Sequence, residues 1–291
     1  MELEKDPVIR QLAAWGKKRE EIRALILTSS MVVPGAPVDA LSDYDVIVVV
    51  RDIHPFLEDD SWLEEFGPVL VVYRDPVHAY GKYRGDTFAR ITQYTRFKID
   101  FSIWPVSVLQ QAAADEDLDE DLDLGYAVVL DKDDLTAGMK PPSHKAYIPS
   151  PPCEAVYLHE IEMFFHEGTY CIKSLWRNDL LATKYFLDHS LKQNHLRRML
   201  EWQMECEHGW TERTSVLGRY LRSRVRPEVW AELEETYVGA GMGENWAAFD
   251  RVVRLYCKTA QDVGERLGFG YPRAFVERMM DYFAWVKGLE R

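Results

Sequence analysis

The chain has 291 residues, 47% hydrophobic and 29% charged, a composition that excludes a disordered or low-complexity architecture and suggests two ordinary domains or one large one. Its 35 Lys and Arg against 48 Asp and Glu give a net charge of −13, a field that repels a phosphate backbone, so no nucleic-acid partner is expected and a cationic one is favoured. No run of about 18 apolar residues marks a membrane span, and the N-terminal MELEKDPVIRQ lacks the basic-then-apolar layout of a signal peptide, which predicts a cytoplasmic protein without a membrane partner.

Within residues 6–22, Val8, Leu12 and Trp15 share a helical face. Residues 23–29 are a short aliphatic run of strand length, followed by a loop carrying Pro34, Gly35 and Pro37. Residues 43–50, DYDVIVVV, read as a buried strand because β-branched side chains dominate it. A short helix is expected at 62–66. PVLVVYR and ARITQYTRFKIDFSIW supply further strands, the second pair turning near Thr95 and Arg96. The acidic run at 115–125 reads as a solvated face or helix end. Residues 140–152, with five prolines, read as a linker between a domain at 1–139 and another at 153–291.

Beyond the linker only helical periods occur. Ile161, Phe165, Ile172 and Leu175 mark one helix, and Val229, Trp230, Leu233 and Tyr237 mark a second. The run from Trp246 through Phe249, Val253, Tyr256, Ala260 and Val263 to Leu267 marks a third; Phe275, Met279, Phe283 and Val286 give the last. The fold class is therefore α/β (α+β), a mixed-sheet domain followed by an all-α helical bundle. Cys153, Cys171, Cys206 and Cys257 form no CxxC pair and read as reduced structural thiols.

Asp43 and Asp45 carry the chemistry. Residues two apart on a strand point to the same face, so both carboxylates converge at the head of an aliphatic strand. Two like charges there call for a cation, and hard oxygen ligands suit Mg²⁺ bound together with substrate phosphates. Asp100 lies in a second strand-like run; if the two strands are neighbours, three carboxylates could hold metal for phosphoryl or nucleotidyl transfer. Ser29 and Ser30, at the turn after the first strand, can offer hydroxyls and backbone N–H groups to a phosphate.

A small-residue turn, then DYD, then KID, is an order that resembles the nucleotidyltransferase superfamily. The chain is more closely similar to the streptomycin-type aminoglycoside 6-adenylyltransferases, through SDYDVIVVV at 42–50, DDSWLEEFGPVL at 59–70, KIDFSIWPVSVL at 98–109, VVLDKDD at 128–134, RRMLEW at 197–202 and ETYVG at 235–239. The resemblance implies a nucleotidyltransferase-like first domain and a helical substrate-binding second one. It also implies transfer of AMP from ATP to a hydroxyl of a cationic aminoglycoside, with release of pyrophosphate and resistance to the antibiotic. By position, Asp43, Asp45 and Asp100 would bind Mg²⁺ and serve catalysis, and Ser29, Ser30, Lys173 and Lys184 would hold the nucleotide. Glu160 and Glu162 would receive the cationic substrate, in a monomer or homodimer. The family's turn is usually Gly-Ser-Arg, whereas this chain has Ser29-Ser30-Met31. One alternative is the same machinery acting on another small hydroxyl compound; a second, which the departure at the turn motivates, is a homologue that binds nucleotide without transferring it.

Overall fold

A computed structural model describes residues 5–212 and 216–290. The chain forms two compact units, one ending at Ala146 and the other starting at Tyr147. The first contains the strands β1 (Ile22–Thr28), β2 (Tyr44–Val50), β3 (Val69–Arg74), β4 (His78–Ala79), β5 (Asp86–Tyr94), β6 (Lys98–Pro105) and β7 (Tyr126–Asp131). They form one sheet in the order β3-β5-β6-β2-β1-β7, with β4 attached to β5. The β2–β6 pair is parallel, while the other pairs are antiparallel. The expected turn between the last two long strands is present, joining β5 to β6.

Every residue of β1 is buried, because both faces of the sheet are covered. On one face Leu25, Leu27, Val48 and Phe101 pack against Leu12 and Trp15 of α1 (Pro7–Lys18). Asp6 starts that helix, its carboxylate accepting from the Val8 and Ile9 backbone N–H groups. After α2 (His54–Glu58) comes a 3₁₀ turn, Ser61–Phe66, where the sequence suggests a short helix. The other face packs Ala24, Ile26, Val49 and Trp104 against α3 (Val106–Ala114) and against Leu122 of α4 (Glu120–Leu124), which forms within the acidic run.

Among its described residues the second unit has helices and no strand. It contains α5 (Glu154–Trp176), α6 (Leu180–Lys184), a π-helical stretch Tyr185–Leu196, α7 (Arg197–His208), α8 (Pro227–Glu234), α9 (Met242–Leu267) and α10 (Arg273–Lys287). All four sequence-marked helices are present, although α8 stops short of Tyr237. Helix from Leu180 to His208 is unmarked by the apolar pattern. Its π-helical stretch hydrogen-bonds i to i+5, which moves buried Leu187, Leu191, Leu196 and Leu200 to intervals of four, five and four.

The first unit's core depends on an aromatic cluster around Phe101. This fully buried ring lies with its centroid 4.9 Å from that of Trp62 and 5.2 Å from that of Phe66. Phe101→Ala should destabilise the protein by about 3–5 kcal/mol, through lost transfer energy and an unfilled cavity. Urea denaturation followed by tryptophan fluorescence measures this, and a loss below about 1 kcal/mol would contradict the packing described.

Candidate active site

Three adjacent strands meet at one end of the sheet. Thr28, the last residue of β1, is opposite Asp45 near the start of β2, and Asp45 is opposite Asp100 near the start of β6. Asp43 immediately precedes β2 and, two residues from Asp45, shares its face. By the same alternation the carboxylates share a sheet face with Ile47, Val49 and Trp104, the side covered by α3. The sequence expectation that a second strand bearing Asp100 neighbours the first is met, residue against residue.

Lys98 is the member of this cluster that the carboxylate pattern does not reveal. Its Nζ donates to Asp43 Oδ2 at 2.8 Å and to Asp100 Oδ2 at 2.9 Å. The available signal is positional: two residues before Asp100 on β6, Lys98 is on the same face. Burial alone would lower the pKa of this ammonium, but its bonds to Asp43 and Asp100 outweigh burial and raise it.

The charge around Asp45 remains unbalanced. Burial, followed by repulsion from Asp100 and Asp43, raises its pKa from 3.8 to about 6, despite the opposing effects of Lys98 and a hydrogen bond with Ser29. Burial also raises Asp100, against the pull of Lys98. Asp100 Oδ1 is buried without a hydrogen-bond partner. Among the described residues no three acidic, His or Cys side chains stand as a ready-made metal cage. Nevertheless, hard oxygens, a destabilised carboxylate and an orphaned buried oxygen are the chemistry that a divalent cation would satisfy.

Comparison with known proteins is consistent along the chain. Residues 1–286 match the streptomycin adenylyltransferase family. The chain belongs to that family. It is similar to an aminoglycoside 6-adenylyltransferase of Bacillus subtilis (strain 168), 26% identical with 87% of each chain covered. It is also similar to one of Campylobacter jejuni, 23% identical over 92% of this chain and 90% of that one. Among solved structures it is similar to an aminoglycoside 6-adenyltransferase from Bacillus subtilis, 22% identical over 97% of each chain, with a TM-score of 0.47. Membership bears out the expectation of an aminoglycoside nucleotidyltransferase.

In this streptomycin adenylyltransferase family member, Ser29 at the turn after β1 sits at φ 59°, a left-handed conformation that disfavours a residue with a Cβ. Its hydroxyl favours the charged form of Asp45, the most perturbed carboxylate of the site, but is outweighed there by burial and repulsion. Ser30 lines a hollow of about 420 Å³ with residues 31–36 and Val38.

The four candidates in the helical unit have different surroundings. Glu160 is buried: its Oε1 is 2.6 Å from His195 Nδ1, and its Oε2 accepts from Arg198 Nη1 at 2.7 Å. It therefore already holds a guanidinium of the chain itself. Glu162 is exposed on α5. Lys173 is half-buried, with its ammonium 5.7 Å from the centre of the Tyr170 ring. Lys184 donates to the Val238 carbonyl at 3.0 Å and pairs with Asp188 at 2.6 Å.

The raised pKa of Asp45 makes metal-free stability depend on pH with a definite sign. Between about pH 4 and about pH 6 the folded protein holds a proton on Asp45 that the unfolded chain releases. That contribution is complete below the unfolded value and is lost as the pH rises through the folded one. In EDTA, Asp45→Asn should therefore gain stability relative to the native sequence as the pH rises from 4 to 7. Melting temperatures across this range test it, and a constant difference between the proteins would contradict the burial and repulsion assigned to Asp45.

Proposed function

We propose that the protein transfers AMP from Mg²⁺-ATP to a hydroxyl of a streptomycin-like aminoglycoside and thereby confers resistance to it. The observation that carries this reading is the Asp45–Asp100 register across β2 and β6, with Asp43 on the same face, in a member of this family. Asp43, Asp45 and Asp100 would hold Mg²⁺. When bound, the metal supplies Lewis acidity to the phosphoryl oxygens and neutralises charge that builds there.

The chain's own groups account for the other requirements. The turn at Ser29 and Ser30 offers hydroxyls for a phosphate beside the carboxylates. In the reaction the acceptor oxygen bonds to the α-phosphorus while the bond to the bridging oxygen breaks, and pyrophosphate leaves with its electron pair. Asp100, opposite Asp45 on the neighbouring strand, is the candidate acceptor of the hydroxyl proton. A guanidinium-bearing acceptor also suits a chain of net charge −13. The nucleotide roles of Lys173 and Lys184 and the substrate roles of Glu160 and Glu162 belong to the same proposal. Of these, Glu162 is the more available carboxylate, because Glu160 is engaged by His195 and Arg198.

The test is pyrophosphate release from Mg²⁺-ATP with and without streptomycin, with the product identified by mass. Streptomycin-dependent release of pyrophosphate and addition of AMP are expected. Asp43→Asn and Asp45→Asn should each lower the rate roughly 100-fold or more while the fold is retained, and Asp100→Asn should lose most activity. Native rates in the Asp45 variant would refute the assignment. Turnover on another hydroxyl compound but not streptomycin would move the acceptor. ATP binding without transfer to any acceptor would favour the non-transferring homologue to which the strained Ser29 turn points.

A further inference from the structure

Lys98 occupies the place where a cation shared by Asp43 and Asp100 would need to put its charge. Its ammonium bridges one oxygen of each carboxylate, at 2.8 and 2.9 Å, and its side chain retains 27% exposure. It therefore has a solvent-facing route along which to leave. Lysine suits such a position because it is a compact charge on a flexible stem that can re-aim its donors, unlike the planar fork of arginine.

We propose that Lys98 is a built-in counter-ion that competes with the metal and makes metal binding depend on nucleotide. In nucleotide-free protein it neutralises Asp43 and Asp100. A bare divalent cation would have to break both charge-assisted hydrogen bonds and leave the ammonium beside a second positive charge. A cation arriving with a triphosphate brings the anionic groups that can receive the displaced ammonium. Metal and nucleotide then bind with positive coupling, each raising the affinity of the other by the same factor. This inference rests on the carboxylates being the metal site, and assigns Lys98 a positioning role there.

The experiment measures binding of Mn²⁺ by electron paramagnetic resonance to the full chain stripped with EDTA, with and without α,β-methylene-ATP. Without nucleotide, Lys98→Met should bind Mn²⁺ about tenfold or more tightly than the native sequence, the scale of one hydrogen bond to a charged group. Lys98→Arg, which keeps the charge, should remain close to the native affinity. The nucleotide analogue should tighten Mn²⁺ binding strongly in the native protein and much less in Lys98→Met. If the methionine variant fails to fold, Lys98→Gln, which keeps a donor without the charge, serves in its place.

Equal nucleotide-free affinity in the native and Lys98→Met proteins would overturn the competition. The carboxylate site would still stand in that case, provided Asp45→Asn weakens Mn²⁺ binding in the presence of the analogue. Mn²⁺ binding indifferent to Asp45→Asn under those conditions would overturn both the site and the inference.

Discussion

The pairing of β2 with β6 is the constraint on which the candidate site depends. In a sheet whose other pairs are antiparallel, these two strands run the same way, so both begin at the same end. A carboxylate near the start of each is then carried to one place, and the direct opposition of Asp45 and Asp100 fixes the match to the residue. Slipping the register by one would send one carboxylate toward the α1 face, among Leu12, Trp15 and Phe101. The buried aliphatic residues along β2 and the aromatic cluster at Phe101 therefore do more than stabilise the unit. They hold the charge pattern in place.

The same geometry concentrates unfavourable charge. A folded protein without metal must tolerate three neighbouring carboxylates, and it does so unevenly. Lys98 neutralises Asp43 and Asp100, whereas Asp45, buried and repelled by both carboxylates, keeps a pKa of about 6. Ser29, beside it at the turn, holds a left-handed backbone conformation. Backbone strain and unbalanced charge thus fall together at one end of a well-packed sheet.

Much of this was legible from sequence, because period-two alternation and an aliphatic run suffice to place Asp43 and Asp45 on one face of a strand. Asp100 was recognisable for the same reason, and the resemblance to a family agreed with it. Lys98 was not recognisable: a lysine near a strand's start is ordinary, and only the neighbouring strand reveals that it bridges two carboxylates. The conformation of Ser29 was equally hidden, since a serine in a turn does not announce a positive φ. The helix across Tyr185–Leu196 is hidden from a 3.6-residue pattern because the π-helical stretch spaces its leucines differently. Glu160 illustrates the opposite limit. Its helix was legible, but its burial against His195 and Arg198 depends on residues 35 and 38 positions away.

The central claim is that Asp43, Asp45 and Asp100 together form a divalent-metal site for nucleotide chemistry. The most direct measurement is a crystal structure of the protein with Mn²⁺ and a non-hydrolysable ATP analogue, with the metal located by anomalous scattering. The account predicts an anomalous peak bonded to oxygens of these carboxylates and of the triphosphate, with the Lys98 ammonium no longer bridging Asp43 and Asp100. Metal and triphosphate bound away from these carboxylates, with the Lys98 bridge intact, would contradict it.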